Sequence, residues 1–280
     1  MTSLILSIFF TVFLFVCFKE FEKRDVNTHQ AITINYITAS LLAYIFYDKE
    51  IITSGLVTSE WIYPTIALGI FFVIMFNVMA ITTQKLGISI ASMASKISLI
   101  IPVFAALLLQ NNVKFTWING IGILLALIAV YLTFKKEEKI TQPTTIAVIL
   151  FFGAGILDMF LNYIQDNYLR NEDDFGQFII VVFFVAFLVG LIKTIYSQQK
   201  IYLKNIMAGI TLGIPNYLSI YFVIESLNKL GGLIVFPVLN IGVVLLSSIL
   251  SSMIYKEYLS KLNWSGIVLA CISIILILVF

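Results

Sequence analysis

Ten apolar runs, each long enough to cross a bilayer as a helix, follow one another through this chain with only short polar breaks between them. They fall near residues 2–18, 29–47, 61–83, 87–110, 116–134, 144–166, 175–196, 205–227, 231–254 and 263–280. The longest breaks, 48–60, 135–143 and 167–174, are linker-sized, so no separate soluble domain fits between the runs. The alternating pattern that a membrane β-barrel needs is missing. The expectation is an all-α membrane protein with ten transmembrane helices. Only 11% of the residues are charged, whereas soluble domains carry about 25%, and mean hydropathy is +1.03. No basic stretch precedes the first run and no small-x-small site follows it, so it reads as a first membrane helix rather than a removed signal peptide. Cys17 and Cys271 stand alone in apolar runs and read as buried small hydrophobes.

The break KKEEKITQP (135–143) divides the chain into two runs of five, taken as repeats over 1–139 and 140–280. The halves resemble each other where they end. LGISIASMASKISLI (86–100) and LGGLIVFPVLNIGVV (230–244) both follow a lysine, Lys85 or Lys229, and both lead through a polar turn to a helix opening with Trp and Gly. A repeat with an odd number of spans must be inverted in the membrane, an arrangement common among secondary transporters. Twelve of the 17 Lys and Arg lie in the loops after the odd-numbered runs, which places those loops in the cytoplasm and both termini outside.

Polar side chains inside such runs are the candidate functional residues. Lys96 stands well inside 87–110, where insertion of a lysine costs about 2.5–3.5 kcal/mol. It reads either as a fixed positive charge facing a pocket or as a side chain snorkelling to the interface. Asn240 is its counterpart in the second half. Asp158, Asn162 and Asp166 share one helical face, with Asp158 the deepest. At about 1.5 Å rise per residue, Lys96 and Asp158 differ in depth by roughly 7–8 Å, which allows an ion pair without demanding one. Asn77 and Tyr221 align across the repeat and complete the predicted binding set of Lys96, Asp158, Asn162, Asn77, Tyr221 and Asn240. Asn35, Tyr36, Asn216 and Tyr217 read chiefly as interhelical hydrogen-bonding groups. Glu225 and Lys229, four apart, predict a local ion pair. His29, at a helix entrance, reads as an interface residue rather than a ligand or proton relay. Pro102, Pro215 and Pro237 predict kinks. Gly209 and Gly213, and the pairs Ser247/Ser251 and Ser248/Ser252, predict close helix packing.

The five-plus-five pattern, the short turns at 84–88 and 228–232, and IYKEYLSKLNWSGIVLA (254–270) with Glu257 and Gly266 resemble the ten-helix EamA-type branch of the drug/metabolite transporter superfamily over essentially the whole length. Two features depart from that pattern. Asn112 stands where an acidic residue is common, and MTSLILS lacks the usual basic residues.

The resemblance implies a secondary transporter, an exporter in an inner membrane of bacterial type. The bilayer, a small-molecule substrate and a coupling proton would be its partners. In that reading Lys96 takes an anionic group and Asp158 an ammonium group or the proton, so an amino acid-like zwitterion suits both. The alternatives are a membrane-embedded enzyme acting on lipid-linked intermediates, or a non-transporting receptor or scaffold. No phosphate-binding loop, HExxH, Cys/His cluster or GxSxG is present, so no cofactor or metal is expected. A net charge of +2 without a basic block gives no nucleic-acid footprint.

Overall fold

The computed structural model describes residues 1–47, 59–103, 117–134, 145–169, 172–257 and 259–279. Among them the chain is all-helical, and ten helices follow the ten apolar runs in order: α1 (Thr2–Lys23), α2 (Thr28–Ile45), α3 (Ile62–Leu86), α4 (Ile88–Ile97), α5 (Trp117–Phe134), α6 (Thr145–Tyr168), α7 (Glu172–Tyr196), α8 (Leu203–Leu230), α9 (Gly232–Met253) and α10 (Lys261–Val279). Six of these, α1, α3, α6, α7, α8 and α9, are long and apolar enough to cross a membrane; α4, α5 and α10 contain shorter apolar stretches.

One expected helix is corrected. The run 87–110 does not form a single unbroken span: α4 stops at Ile97, a turn covers Ser98–Leu99, and helix resumes at 100–103. Pro102 is the cause. Its ring would collide with the carbonyl four residues back, that of Ser98, and it has no N–H to offer that carbonyl. The Ser98 carbonyl instead accepts from Ile101 N at 2.9 Å, one residue tighter than an α-helical bond. The remainder of that run, 104–110, and Asn112 lie outside the described residues, as do most of the breaks at 48–60 and 135–143. Pro215 and Pro237, by contrast, sit inside continuous helices. Pro237 is the sixth residue of its helix, so like Pro215 it leaves the carbonyl four residues back without an N–H partner.

The helices gather into two compact units, which divide the chain differently from the sequence halves. The first comprises Met1–Lys19, Val78–Ile156 and Ser219–Phe280; the second comprises Glu20–Asn77 and Leu157–Leu218. In the first unit, α4 packs on α9, and α5 and α9 each pack on α10. Stacked Phe10 and Phe222 rings, 5.8 Å apart, join α1 to the end of α8. In the second unit α2 is the central element. Its fully buried Tyr36 donates to the Phe72 carbonyl of α3 at 3.0 Å and lies against the Phe76 and Phe183 rings.

Candidate functional site

The sequence-predicted residues divide evenly between the units: Lys96, Tyr221 and Asn240 belong to the first, Asn77, Asp158 and Asn162 to the second. In the first unit Lys96 is half-buried on α4 and Asn240 is buried on α9, where it donates to the Phe236 carbonyl of its own helix at 2.9 Å. Ser89 meets Ser248 at 2.9 Å and Ser92 meets Ser247 at 2.5 Å, so α4 and α9 run antiparallel. That register carries Lys96 to within about one helical turn of Asn240. Tyr221, on α8, is 41% exposed and rests edge-on against Phe222. In the second unit Asp158 is half-buried and Asn162 exposed on α6, one turn apart on one face as their spacing requires. Asn77 is half-buried on α3 and donates to the Val73 carbonyl at 2.7 Å, which leaves its side-chain oxygen free to accept.

Glu257 gains a physical role that its sequence context does not reveal. It follows α9, and both carboxylate oxygens accept from Ile88 N, at 3.0 and 3.1 Å, at the start of α4. Ser251 Oγ also donates to this carboxylate. Gly87, at the α4 N-cap, has no side chain with which to satisfy the helix's free N–H groups, so Glu257 caps α4 from 169 residues away. A Cβ on Gly87 would collide with that carboxylate, and its φ of +99° suits glycine in any case. The negative charge sits at the positive end of the α4 dipole.

The second unit carries a row of amides, buried at Gln30, Asn35, Asn205 and Asn216 and open to solvent at Gln199. Asn205 Nδ2 donates to Gln30 Oε1 at 2.6 Å, its Oδ1 accepts from Asn27 N at 3.1 Å, and Asn27 Nδ2 donates to Gln199 Oε1 at 2.7 Å. Further along, Asn216 Nδ2 donates to Asn35 Oδ1 at 3.1 Å. Between these pairs α8 presents Gly209 and Gly213. A Cβ at the first would strike Ala31 and Ile34, and at the second Asn35 and Thr38. The expected GxxxG contact therefore exists, and its partner is α2, which runs parallel to α8 in this register. On its other side α2 meets α7, through Thr33 and Thr194 at 3.4 Å, Ser40 Oγ on the Ile180 carbonyl at 3.0 Å, and Gln177 Nε2 on Tyr47 at 3.3 Å. As α2 advances these partners step backward along α7, so the two are antiparallel.

The expected Glu225–Lys229 ion pair is present at 2.5 Å. An open polar cleft of about 430 Å³ lies beside the amide row at the α1–α2 and α7–α8 turns, lined in part by Asp25, Lys200, Tyr202 and Lys204. It contains none of the predicted residues. His29, read from sequence as an interface residue, has both ring nitrogens shielded from solvent and without a hydrogen-bond partner.

Among the described residues, the fold defines an all-helical protein with six helices long and apolar enough to cross a membrane. No family model matches the chain. It is similar to an uncharacterized protein of Haemophilus influenzae (strain Rd), 27% identical over 287 residues and covering 98% of this chain and 96% of that protein. One solved crystal structure aligns at a TM-score of 0.56 and 14% identity, covering 98% of this chain and 94% of the other. At that identity the likeness concerns the fold alone.

Proposed function

We propose that this chain is a secondary active transporter of a small organic metabolite, amino acid-like in charge, working by alternating access as an exporter in a bacterial-type inner membrane. The observation that carries the proposal is the pairing of helices that correspond across the sequence repeat. α2 packs on α7, α4 on α9 and α5 on α10, and the first two pairs are antiparallel. Counterparts that pack antiparallel are what a two-fold axis in the membrane plane produces, and solute sites in such proteins lie between the repeats. Polar groups on these helices, Lys96 and Asn240 above all, are costly in a bilayer and support a site role.

In this reading Lys96 holds a carboxylate and Asp158 an ammonium group, with Asn77, Asn162, Tyr221 and Asn240 as orienting groups. The test is uptake and efflux of a radiolabelled amino acid mixture in proteoliposomes, with and without a pH gradient. Lys96→Ala and Asp158→Asn should each lower solute flux about tenfold or more, since one charge-assisted contact is worth about 1.5–3 kcal/mol. Wild-type flux from either correctly inserted variant would remove it from the site, and no flux from the wild-type protein with any mixture component would count against transport of this solute class.

A further inference from the structure

We infer that the polar cleft at the α1–α2 and α7–α8 turns binds the phosphate of an anionic phospholipid. The cleft, of about 430 Å³, is lined in part by Gln199, Lys200, Tyr202, Lys204 and Asn205, and it lies wholly within the second unit. Its turns connect α1, α7 and α8, each long and apolar enough to span a bilayer, so a spanning chain brings them to the bilayer surface. The inference needs that placement and does not rest on the transport reading.

The hydrogen bonds beneath the cleft leave donors on its lining. Asn27 Oδ1 accepts from Gln30 N at 3.2 Å, so Nδ2 is the atom that donates to Gln199 Oε1, at 2.7 Å. Asn205 Oδ1 accepts from Asn27 N at 3.1 Å, so its Nδ2 is the atom that donates to Gln30 Oε1, at 2.6 Å. Main-chain N–H groups therefore fix the direction of the row, and the oxygens of Asn27, Gln199 and Asn205 are all engaged inside the fold. Gln199 Nε2, Lys200 Nζ and the Tyr202 hydroxyl have no partner among the described residues, and the buried Asn205 amide keeps a second N–H. A cleft with this lining suits a ligand rich in acceptor oxygens and carrying negative charge.

Lys200 and Lys204 bring two positive charges to the lining and Asp25 one negative charge. At the end of α1, Val26 N donates to the Phe21 carbonyl at 2.9 Å and Asp25 N to the Glu22 carbonyl at 3.3 Å, with Asp25 at a left-handed φ of +49°. Lys204 Nζ donates to the Asp25 carbonyl at 2.5 Å and lies 3.5 Å from its carboxylate, whereas Lys200 has no ion pair among the described residues. The parallel helices α2 and α8 both begin beside the cleft, so the positive ends of both dipoles add to the field there. The flank favours a lipid over a free anion. Ile201 and Leu203, neighbours of lining residues, are exposed, and from Leu203 an exposed apolar row of Met207, Ile210 and Ile214 continues along α8 at helical spacing. Acyl chains attached to a phosphate in the cleft can lie along that row, which a soluble phosphate leaves unused.

The test titrates the full-length protein in neutral detergent with dioleoyl phosphatidylglycerol and counts bound lipid by native mass spectrometry. Phosphatidylglycerol should bind saturably and more tightly than zwitterionic phosphatidylcholine. Lys200→Gln and Lys204→Gln should each weaken it about fivefold, the usual share of one basic residue at a membrane surface. The Lys200 side chain has no contact within the fold to lose, so a loss at that position reports on the ligand. Asp25→Asn keeps a residue that tolerates the left-handed φ and removes the opposing charge, so binding should tighten about threefold to fivefold, which misfolding cannot produce. Lys261→Gln, on α10 and outside the cleft, should change binding by less than about twofold. Absence of saturable phosphatidylglycerol binding, indifference to both cleft lysines, an equal loss with Lys261→Gln, or no tightening with Asp25→Asn overturns the site. Inorganic phosphate or glycerol 3-phosphate that displaces the lipid as effectively as phosphatidylglycerol itself overturns the lipid as its occupant.

Discussion

The α4–α9 pair of the first unit and the α2–α8 pair of the second both bury polar side chains, yet they satisfy them in opposite ways. Along α4 and α9 the groups that meet across the seam are serines, and Ser92, Ser247 and Ser248 also bond within their own helices. Ser92 reaches the Ser89 carbonyl at 2.9 Å, and Ser247 and Ser248 both reach the Val244 carbonyl, at 3.0 and 2.7 Å. Their mutual contacts are additional. Along α2 and α8 the groups are amides that depend on each other across the interface, Gln30 on Asn205 and Asn35 on Asn216. A shift of α4 along α9 would exchange one hydroxyl contact for another; a shift of α2 along α8 would strand buried amides and drive side chains into Gly209 and Gly213. The serine pair tolerates movement and the amide pair resists it.

The sharpest way to break this contrast is Gly213→Leu. The Cβ alone would collide with the Asn35 carbonyl and Thr38, and a full side chain must push α2 away. Overpacking of this kind costs about 1–3 kcal/mol or more. We expect a large drop in the unfolding midpoint in detergent and in monodisperse yield. A leucine accepted without loss would mean that α2 and α8 are not closely held.

A smaller effect belongs to the amide pair itself. Asn216→Leu leaves the fully buried Asn35 side chain without its one recorded partner, since its Nδ2 is already unsatisfied. The expected cost is about 1–2 kcal/mol, larger than the average of about 0.6 kcal/mol for interhelical hydrogen bonds in membranes, because the stranded amide is enclosed. Adding Asn35→Leu should recover part of the loss, and a double-mutant cycle on thermal or denaturant unfolding measures it. Strictly additive losses would show that the two amides do not depend on each other.

How much of this was legible beforehand follows from the range of each interaction. The ten helices, the Glu225–Lys229 pair and the close approach at Gly209 and Gly213 are local or periodic, and local patterns can be read along a chain. The interruption of 87–110 was legible in part: Pro102 announces a kink, but whether its helix bends or stops depends on what Ser98 can bond instead. Glu257 is the opposite case. Its place in a turn beside Lys256 gives no hint that it caps a helix 169 residues earlier. The signal that could have found it is negative, an α4 N-terminus with Gly87 and no capping side chain of its own. His29, which reads as an interface residue at a helix entrance, lies half-buried in the first turn of α2 with both ring nitrogens shielded from solvent, a detail set by neighbours distant in sequence.

The smallest predicted effect is the one that decides whether the serine pair is truly permissive. Ser92→Ala and Ser247→Ala each delete a hydroxyl whose partner keeps an acceptor on its own helix, so no buried donor is orphaned. Removing both members of such a pair leaves an apolar contact of nearly the same shape, which can be close to neutral. Each single variant should change unfolding free energy by about 0.5 kcal/mol or less, and the double variant by little more than the sum. Glu257 supplies the internal control, because its carboxylate takes the Ile88 N–H that Gly87 has no side chain to take: Glu257→Ala strips the cap from α4 and should cost about 0.5–2 kcal/mol. If the serine double variant cost as much as Glu257→Ala, the hydroxyl contacts themselves would be holding α4 against α9, and the first unit would be as fixed along this seam as the second.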